Sequence, residues 1–235
     1  QARRTFRRLP NFPMRERPAS ETPGDPWANE TLGIRARKPG CLPGGPIVRY
    51  TGFGTMARPK DFVPVKSICG VIYKEDALYD EARKRLEAEW GRADSESPAF
   101  PFDLTGYYED EMGGGLARRF LSFETLVPPE SLPEAKLWAI ELESMIRQER
   151  GVTGRPVNID PGFLTASAVV MATAKDFAHR IPLAKGIYAH LELLFTRTGV
   201  RTLDWTYPDL RREPPQAYFR AVRETYLRQL RERRG

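Results

Sequence analysis

RPVNIDPGFLTASAVVMATAKDFAHRIPLAKGIYAHLELL, residues 155–194, is the stretch that decides the fold of this chain, and it contains both of its histidines. An Asp-Pro-Gly sequence at 160–162 precedes Phe163–Ala174, which is almost entirely apolar. Asp is a favoured helix N-cap, and Pro fits the first helical position. The pattern therefore predicts a buried helix over 163–174 that is capped by Asp160. A helix N-terminus of this kind also suits an anion, so a binding role for Asp160 stays open beside the capping role.

The segment that follows predicts a β-hairpin. Residues 187–195 alternate between apolar and polar side chains, as a strand with one buried face does, and Lys185–Gly186 suits a two-residue turn. With that turn, His179 would lie opposite Glu192, and a carboxylate beside an imidazole raises its pKa and fixes its tautomer. The alternative is an ordinary charge pair on a solvated sheet face. Pro182 indicates an edge strand or a bulge.

The net charge of the chain is concentrated in its first part. Residues 1–55 hold 10 Lys or Arg and 4 Asp or Glu, which is the whole net charge of +6. Residues 56–235 hold 27 of each sign and are neutral. A neutral globular part gives no reason to expect a nucleic-acid partner.

Residues 1–55 also differ from the rest in composition. They contain 8 Pro and 7 Gly and show no helical or strand periodicity, so we expect a disordered basic segment. One interpretation is an arm that binds nucleic acid. The other is that this segment is not native, because Met56 precedes the first predicted strand and is expected to be the true start. A single domain is then expected over 56–235.

The sequence favours a cytoplasmic protein. Cys41 lies in a Pro/Gly-rich segment and Cys69 in an apolar strand, so a disulfide framework is not expected. No apolar run reaches membrane-spanning length, and the N-terminus lacks the apolar core of a signal peptide.

Hydrophobic periodicity predicts a single α+β domain, with helices packed on a mixed, largely antiparallel sheet. The predicted elements outside the central stretch are a strand over 65–73, a helix over 76–90, strands over 100–108 and 116–127, a helix from a capping box at Ser131 to about 147, a short strand after Gly199, and a helix over 215–233. No Gly-rich phosphate loop follows the first strand. Tyr108 ends an aromatic turn, where it suits either ligand contact or packing.

An ordered series of motifs identifies the chain as similar to the bacterial family catalogued as domain of unknown function 4416. The motifs are PVK at 64–66, GVIYKED at 70–76, FPFDLTGYY at 100–108, RRFLSFETL at 118–126, VNIDPGFLT at 157–165, KDFAHRIPLAKGIYAH at 175–190 and WTYPD at 205–209. The resemblance covers roughly Pro64 to Tyr226 and implies a start shortly before the PVK strand. It implies no activity. The family pattern has an acidic residue where this chain has His190, which implies a smaller role for His190 than for His179.

Two function hypotheses of different classes follow. In the first, an enzyme or sensor binds a small anionic ligand, phosphorylated ones included, and Asp160 and His179 provide acid–base chemistry. The residues expected to contact the ligand are Asn158, Lys175, Arg180, Lys185 and Tyr108. Whether the protein is an enzyme stays open. No metal site is expected, since two separated histidines lack ligand spacing, and no cofactor is indicated.

In the second hypothesis the protein is a non-catalytic module that binds RNA or a protein partner. Its support is a set of aromatic and basic residues, namely Tyr107, Tyr108, Trp205, Tyr207, Arg118, Arg119, Arg211 and Arg212. A third interpretation is purely structural, with the polar residues capping helices and satisfying buried backbone groups.

Overall fold

The computed structural model describes residues 60–103 and 109–233, all within the second of two units of the chain, Ala57–Gly235. The strands are β1 Val65–Tyr73, β2 Ala93–Glu96, β3 Phe100–Pro101, β4 Ala117–Val127, β5 Val157–Leu164, β6 Ala168–Thr173, β7 Ile181–Ala184, β8 Ile187–Thr196 and β9 Gly199–Thr202. The helices are α1 Asp76–Trp90, the single turn α2 Glu109–Met112, α3 Leu132–Arg150 and α4 Glu213–Glu232. The predicted α+β domain is confirmed.

One sheet organises the described residues. Its strand order is β2-β4-β1-β5-β6-β8-β7, with β3 paired to β4 and β9 to β8. Every strand pair among the described residues is antiparallel. Helices α1 and α3 pack on one face through a core that includes Val71 and Ile159, and α4 packs on the other through Phe219. The sheet is therefore buried on both sides at its centre.

The first two elements follow the predicted bounds because their patterns are strong. Strand β1 lies between β4 and β5, so its continuous apolar sequence is buried on both faces. In α1 the stripe of Leu78, Ala82 and Leu86 is buried at helical spacing. Gly91 ends α1 with φ of 91°, a conformation that favours glycine.

The predicted buried helix over 163–174 is wrong. Strands β5 and β6 occupy this stretch as a hairpin, and Asp160 lies inside β5, opposite Gly70, instead of capping a helix. The turn is stabilised by Thr165, whose Oγ1 accepts hydrogen bonds from the backbone N–H groups of Ser167 and Ala168. A strand buried on both faces carries the same apolar run as a buried helix, which explains the error.

The hairpin of β7 and β8 is confirmed, but its predicted register is wrong. Lys185 and Gly186 form the turn with φ of 54° and 74°, as a two-residue hairpin turn of this type requires. An irregularity after Pro182 places Ile181 opposite Ala189. The predicted register would have placed Ile181 opposite His190. The strand begins at Ile181, so His179 does not pair with Glu192 across the hairpin.

Three smaller predictions have mixed outcomes. Helix α3 is confirmed, but Ser131 makes no capping hydrogen bond; its Oγ donates to the Pro128 carbonyl instead. Of the strand predicted over 100–108, the described residues 100–103 contain the two-residue β3, and β2 was not predicted. Tyr107, Tyr108 and the predicted disordered segment 1–55 lie outside the described residues.

Candidate functional site

Asp160 is the centre of a polar cluster inside the domain. Its Oδ1 accepts a hydrogen bond from Lys136 Nζ at 3.1 Å, and its Oδ2 accepts one from Asn158 Nδ2 at 2.7 Å. Arg118 Nη2 lies 3.5 Å from the same Oδ2. Asn158 and Asp160 share a sheet face because they are two residues apart on β5. Lys136 reaches the carboxylate from α3 and also donates to the Ile159 carbonyl at 2.8 Å.

These partners keep Asp160 ionised. Burial by itself opposes the charged form, but the positive charges of Lys136 and Arg118 outweigh it and hold the pKa of Asp160 below its ordinary value. A carboxylate bound by three donors is a poor proton acceptor at neutral pH. Asp160 is therefore an ion-pair partner of Lys136 and Arg118 in the fold, and its acid–base role stays a prediction.

Arg118 links this carboxylate to a second one. Its side chain is 2% exposed, and Nη1 donates to Asp209 Oδ2 at 2.9 Å. The guanidinium also lies 4.7 Å from the centre of the Phe120 ring, within cation–π range. Arg118 is thus a buried bridge between β5 and the segment before α4, and it is not part of an exposed basic face.

A histidine and a glutamate lie together on β8 in the same region. His190 and Glu192 are 1% and 0% exposed, and His190 Nδ1 lies 3.2 Å from Glu192 Oε1. Glu192 Oε2 accepts a hydrogen bond from the Tyr207 N–H at 2.8 Å. Among residues 60–103 and 109–233, neither ring nitrogen of His190 makes a hydrogen bond of good geometry, although the Trp205 backbone is close enough to act on the pKa of the ring.

The electrostatic surroundings favour the uncharged form of both groups. Burial raises the pKa of Glu192 to about 8, and it lowers the pKa of His190 to about 4 with the help of the Arg180 charge. Both groups are then uncharged at neutral pH. Because Oε1 of Glu192 and Nδ1 of His190 lie 3.2 Å apart, we infer that the carboxyl proton is on Oε1 and faces Nδ1, which leaves the ring proton on Nε2.

Aromatic rings enclose His190. The ring of Tyr207 meets it edge-on at 4.8 Å, and the ring of His179 lies 4.8 Å away. His179 is also stacked on Trp205, with a centroid distance of 5.0 Å and an interplanar angle of 9°. Burial and the neighbouring Arg180 charge lower the pKa of His179. His179 therefore contacts the pair through its ring, not through Glu192 as predicted.

Arg180 is a cation of this region for which the described residues provide no counter-charge. Its Nη1 donates to the backbone carbonyl of Lys175 at 2.9 Å, and its buried Nε has no partner in the described part of the chain. Its charge acts on the pKa values of His179, His190 and Tyr207, which places the guanidinium beside all three. No carboxylate among the described residues forms an ion pair with it.

The structure gathers four of the predicted site residues and separates one. Asn158 bonds Asp160, His179 contacts His190 through its ring, and Asp160 and Arg180 both act on the pKa of Tyr207 after the larger effect of burial. Lys185 lies at the hairpin turn, 60% exposed, where its Nζ bonds Glu134 Oε1 at 3.0 Å. Lys175 is exposed.

Sequence reasoning missed several members of the cluster. Lys136 and Asp209 were not singled out, Arg118 was assigned to an exposed basic face, Glu192 was paired with His179, and His190 was given a smaller role than His179. The WTYPD motif carried a signal, since Tyr207 and Asp209 lie within it. The alternation along β8 carried another, because it placed His190 and Glu192 on one face.

The arginines of the proposed basic face are each engaged elsewhere. Arg119 bonds Glu96 and the Tyr73 hydroxyl. Arg211 donates to the carbonyls of Thr206 and Asp204, and Arg212 bonds Asp103.

Other site types receive no support from the described residues. They contain no group of three or more His, Cys, Asp or Glu side chains arranged to hold a metal ion. No helix found among them is long and apolar enough to cross a membrane. A surface cleft of about 450 Å³ is lined by Phe100–Asp103 and Gly113–Ala117, and the polar cluster does not contribute to its walls.

Comparison with known proteins gives one match. The family described as "Domain of unknown function (DUF4416)" matches residues 63–226. No curated protein and no solved structure matches the chain.

Proposed function

We propose that this chain, which belongs to the DUF4416 family, binds a small anionic ligand at Arg180 and exchanges a proton with it through the buried His190–Glu192 pair. The family name assigns no activity, so the proposal is based on geometry. The observation that carries it is the Arg180 guanidinium, whose buried Nε has no hydrogen-bond partner and which pairs with no carboxylate among the described residues, close to a buried imidazole. Buried and partly buried cations are normally paired, so this arrangement supports an external anion.

The charges of the cluster favour the same conclusion. The positive groups are Arg118, Lys136 and Arg180, and the carboxylates that bond to the first two are Asp160 and Asp209. Glu192 does not add a negative charge at neutral pH, because its pKa is raised by burial to about 8. Arg118 and Lys136 have their carboxylates at hydrogen-bonding distance. The excess positive charge therefore resides on Arg180.

The His190–Glu192 pair gives the site acid–base capacity. If Nε2 of His190 releases its proton to the ligand, Nδ1 can take the proton of Glu192, so the ring stays neutral and the carboxylate ends ionised. The reverse transfer returns both protons. This relay needs no free imidazolium, which burial disfavours here. In this proposal His190 is the group that exchanges a proton with the ligand through Nε2, and Glu192 supplies a replacement proton to Nδ1.

Asp160 and Arg118 position this machinery. Arg118 holds Asp209, which follows Tyr207 in the same short segment, and the Tyr207 N–H binds Glu192. The Asp160 carboxylate faces Nη2 of the same Arg118 guanidinium whose Nη1 binds Asp209. A change at Asp160 is expected to act through Arg118, without contact to the ligand.

Binding of simple anions to the full chain tests the proposal. We expect inorganic phosphate, pyrophosphate or malonate to bind wild type in calorimetric titrations, and Arg180→Ala to abolish that binding. Lys185→Ala is the matched control, since its ammonium lies at the hairpin turn with Glu134. Equal affinity in wild type and Arg180→Ala, or loss of binding in Lys185→Ala alone, would remove the proposed site.

A further inference from the structure

The rings next to Arg180 form an exposed aromatic surface. Trp205 is 38% exposed and Phe177 is 63% exposed, although both are large apolar side chains. His179 connects them, because its ring is stacked on Trp205 and its centroid lies 5.0 Å from that of Phe177. An exposed group of aromatic side chains beside a site indicates contact with another molecule.

The indole is held rigidly in spite of its exposure. Trp205 Nε1 donates to the Leu191 carbonyl at 2.9 Å. The segment around it is fixed by Thr206, whose Oγ1 accepts the Leu203 N–H at 2.8 Å, and by Arg211, whose Nε donates to the Thr206 carbonyl at 2.9 Å. A ring that is held in place loses little conformational freedom when a flat group stacks on it.

We infer that the anionic ligand also carries a planar ring and belongs to the class of nucleoside phosphates, with its base on Trp205 and its phosphate on Arg180. The inference rests on the function proposed above and specifies its ligand. Arg180 follows His179 directly in sequence and its charge acts on the His179 ring, which is stacked on Trp205, so the cation lies close to the stacked rings. Every nucleobase has a flat face that stacks on aromatic side chains.

The balance of charge favours a single nucleotide over a nucleic-acid strand. Proteins that bind a strand neutralise several phosphates with Lys and Arg. Residues 56–235 hold 27 basic and 27 acidic residues, and among the described residues of the cluster only Arg180 lacks a carboxylate. This site therefore suits a ligand with one phosphate group.

Calorimetric titration of the full chain with matched ligands tests this inference. We expect the 5′-monophosphates of adenosine, guanosine or uridine to bind roughly tenfold more tightly than ribose 5-phosphate, which lacks the base. Trp205→Leu should remove most of that difference and leave ribose 5-phosphate binding unchanged. Phe62→Leu is the control, since Phe62 is also an exposed aromatic side chain, at 66%, and lies outside the cluster.

The other outcomes separate the two proposals. If ribose 5-phosphate binds through Arg180 and the nucleotides bind no more tightly, the ring-stacking inference is wrong and the anion site stands. If neither sugar phosphate nor nucleotide nor pyrophosphate binds, both are wrong. If a short single-stranded oligoribonucleotide binds through Trp205 more tightly than the mononucleotides, the assignment to a single nucleotide is wrong.

Discussion

The guanidinium of Arg118 lies in the space that a side chain at Gly70 would occupy. A Cβ atom added to Gly70 would come within 2.7 Å of Arg118 Nη2 and 2.9 Å of its Nε. Gly70 is on β1, between the strands that carry Arg118 and Asp160. The missing side chain therefore lets the arginine cross β1 and reach Asp160, so the polar cluster depends on glycine at this position.

A methyl group at position 70 should disturb the cluster. We expect Gly70→Ala to lower the free energy of unfolding by about 1–3 kcal/mol, as overpacking of a close-packed site does. Urea denaturation measures the change. Gly114→Ala is the control, because no atom of the described residues lies within 4 Å of a Cβ at Gly114. If the penalty persists undiminished in an Arg118→Met background, the guanidinium is not its cause.

Removal of Arg118 should destabilise the domain more strongly. Arg118→Met leaves Asp160 and Asp209 without this partner, and loss of one member of a buried ion pair costs about 3–5 kcal/mol. Arg119→Met provides a comparison on the same strand, since its guanidinium is 28% exposed and pairs with Glu96. That exposed pair should contribute about 1 kcal/mol or less. Equal losses in the two variants would show that Arg118 does not hold the cluster.

The His190–Glu192 pair predicts a specific pH dependence of stability. Glu192 binds more protons in the folded state between its ordinary pKa of 4.5 and about 8, so its contribution to the free energy of unfolding falls as pH rises through that window. His190 binds fewer protons in the folded state between about 4 and 6.5, so its contribution rises with pH there. The two slopes oppose each other below pH 6.5, and only the Glu192 slope continues to about pH 8.

Glu192→Gln isolates this effect. Between pH 6.5 and about 8, the free energy of unfolding of wild type, measured by urea denaturation, should fall by an amount on the order of 2 kcal/mol. The free energy of unfolding of Glu192→Gln should not show this fall. Gln keeps the acceptor for the Tyr207 N–H and offers a donor to His190. Glu213→Gln is the control, because Glu213 is 70% exposed and Arg220 lowers its pKa. A parallel pH profile in wild type and Glu192→Gln would contradict the raised pKa of Glu192.

Local sequence patterns predicted the elements that have one dominant signal. The apolar stripe of α1, the continuous apolar run of β1 and the Lys-Gly turn after β7 each allow one structure. The stretch 163–174 allows two structures, because its strands are apolar on both faces and Asp160-Pro161 resembles a helix start. Thr165 and Ser167, which interrupt the apolar run, were the sign of a hairpin turn.

The candidate site was predictable only in part for a different reason. Asp160, His179 and Arg180 stand in motifs with unusual chemistry, so the sequence singled them out. Their partners come from distant elements: Arg118 from β4, Lys136 from α3 and Asp209 from the segment before α4. The one-residue shift at Pro182, which changes the partner of His179, depends on a bulge that no periodicity reveals.

The central claim is that an anion at Arg180 interacts with a buried neutral His190 paired to Glu192, and ¹⁵N NMR titration of the two histidines tests it most directly. The chain has only His179 and His190, so His179→Gln and His190→Gln assign both signals. We predict that His190 keeps its proton on Nε2 and titrates at about 4 in the free protein. Pyrophosphate should raise this pKa, because a nearby negative charge favours the imidazolium, and Arg180→Ala should prevent the rise. A His190 that titrates near its ordinary value of 6.5 in the free protein, or that does not respond to the anion, would contradict the account.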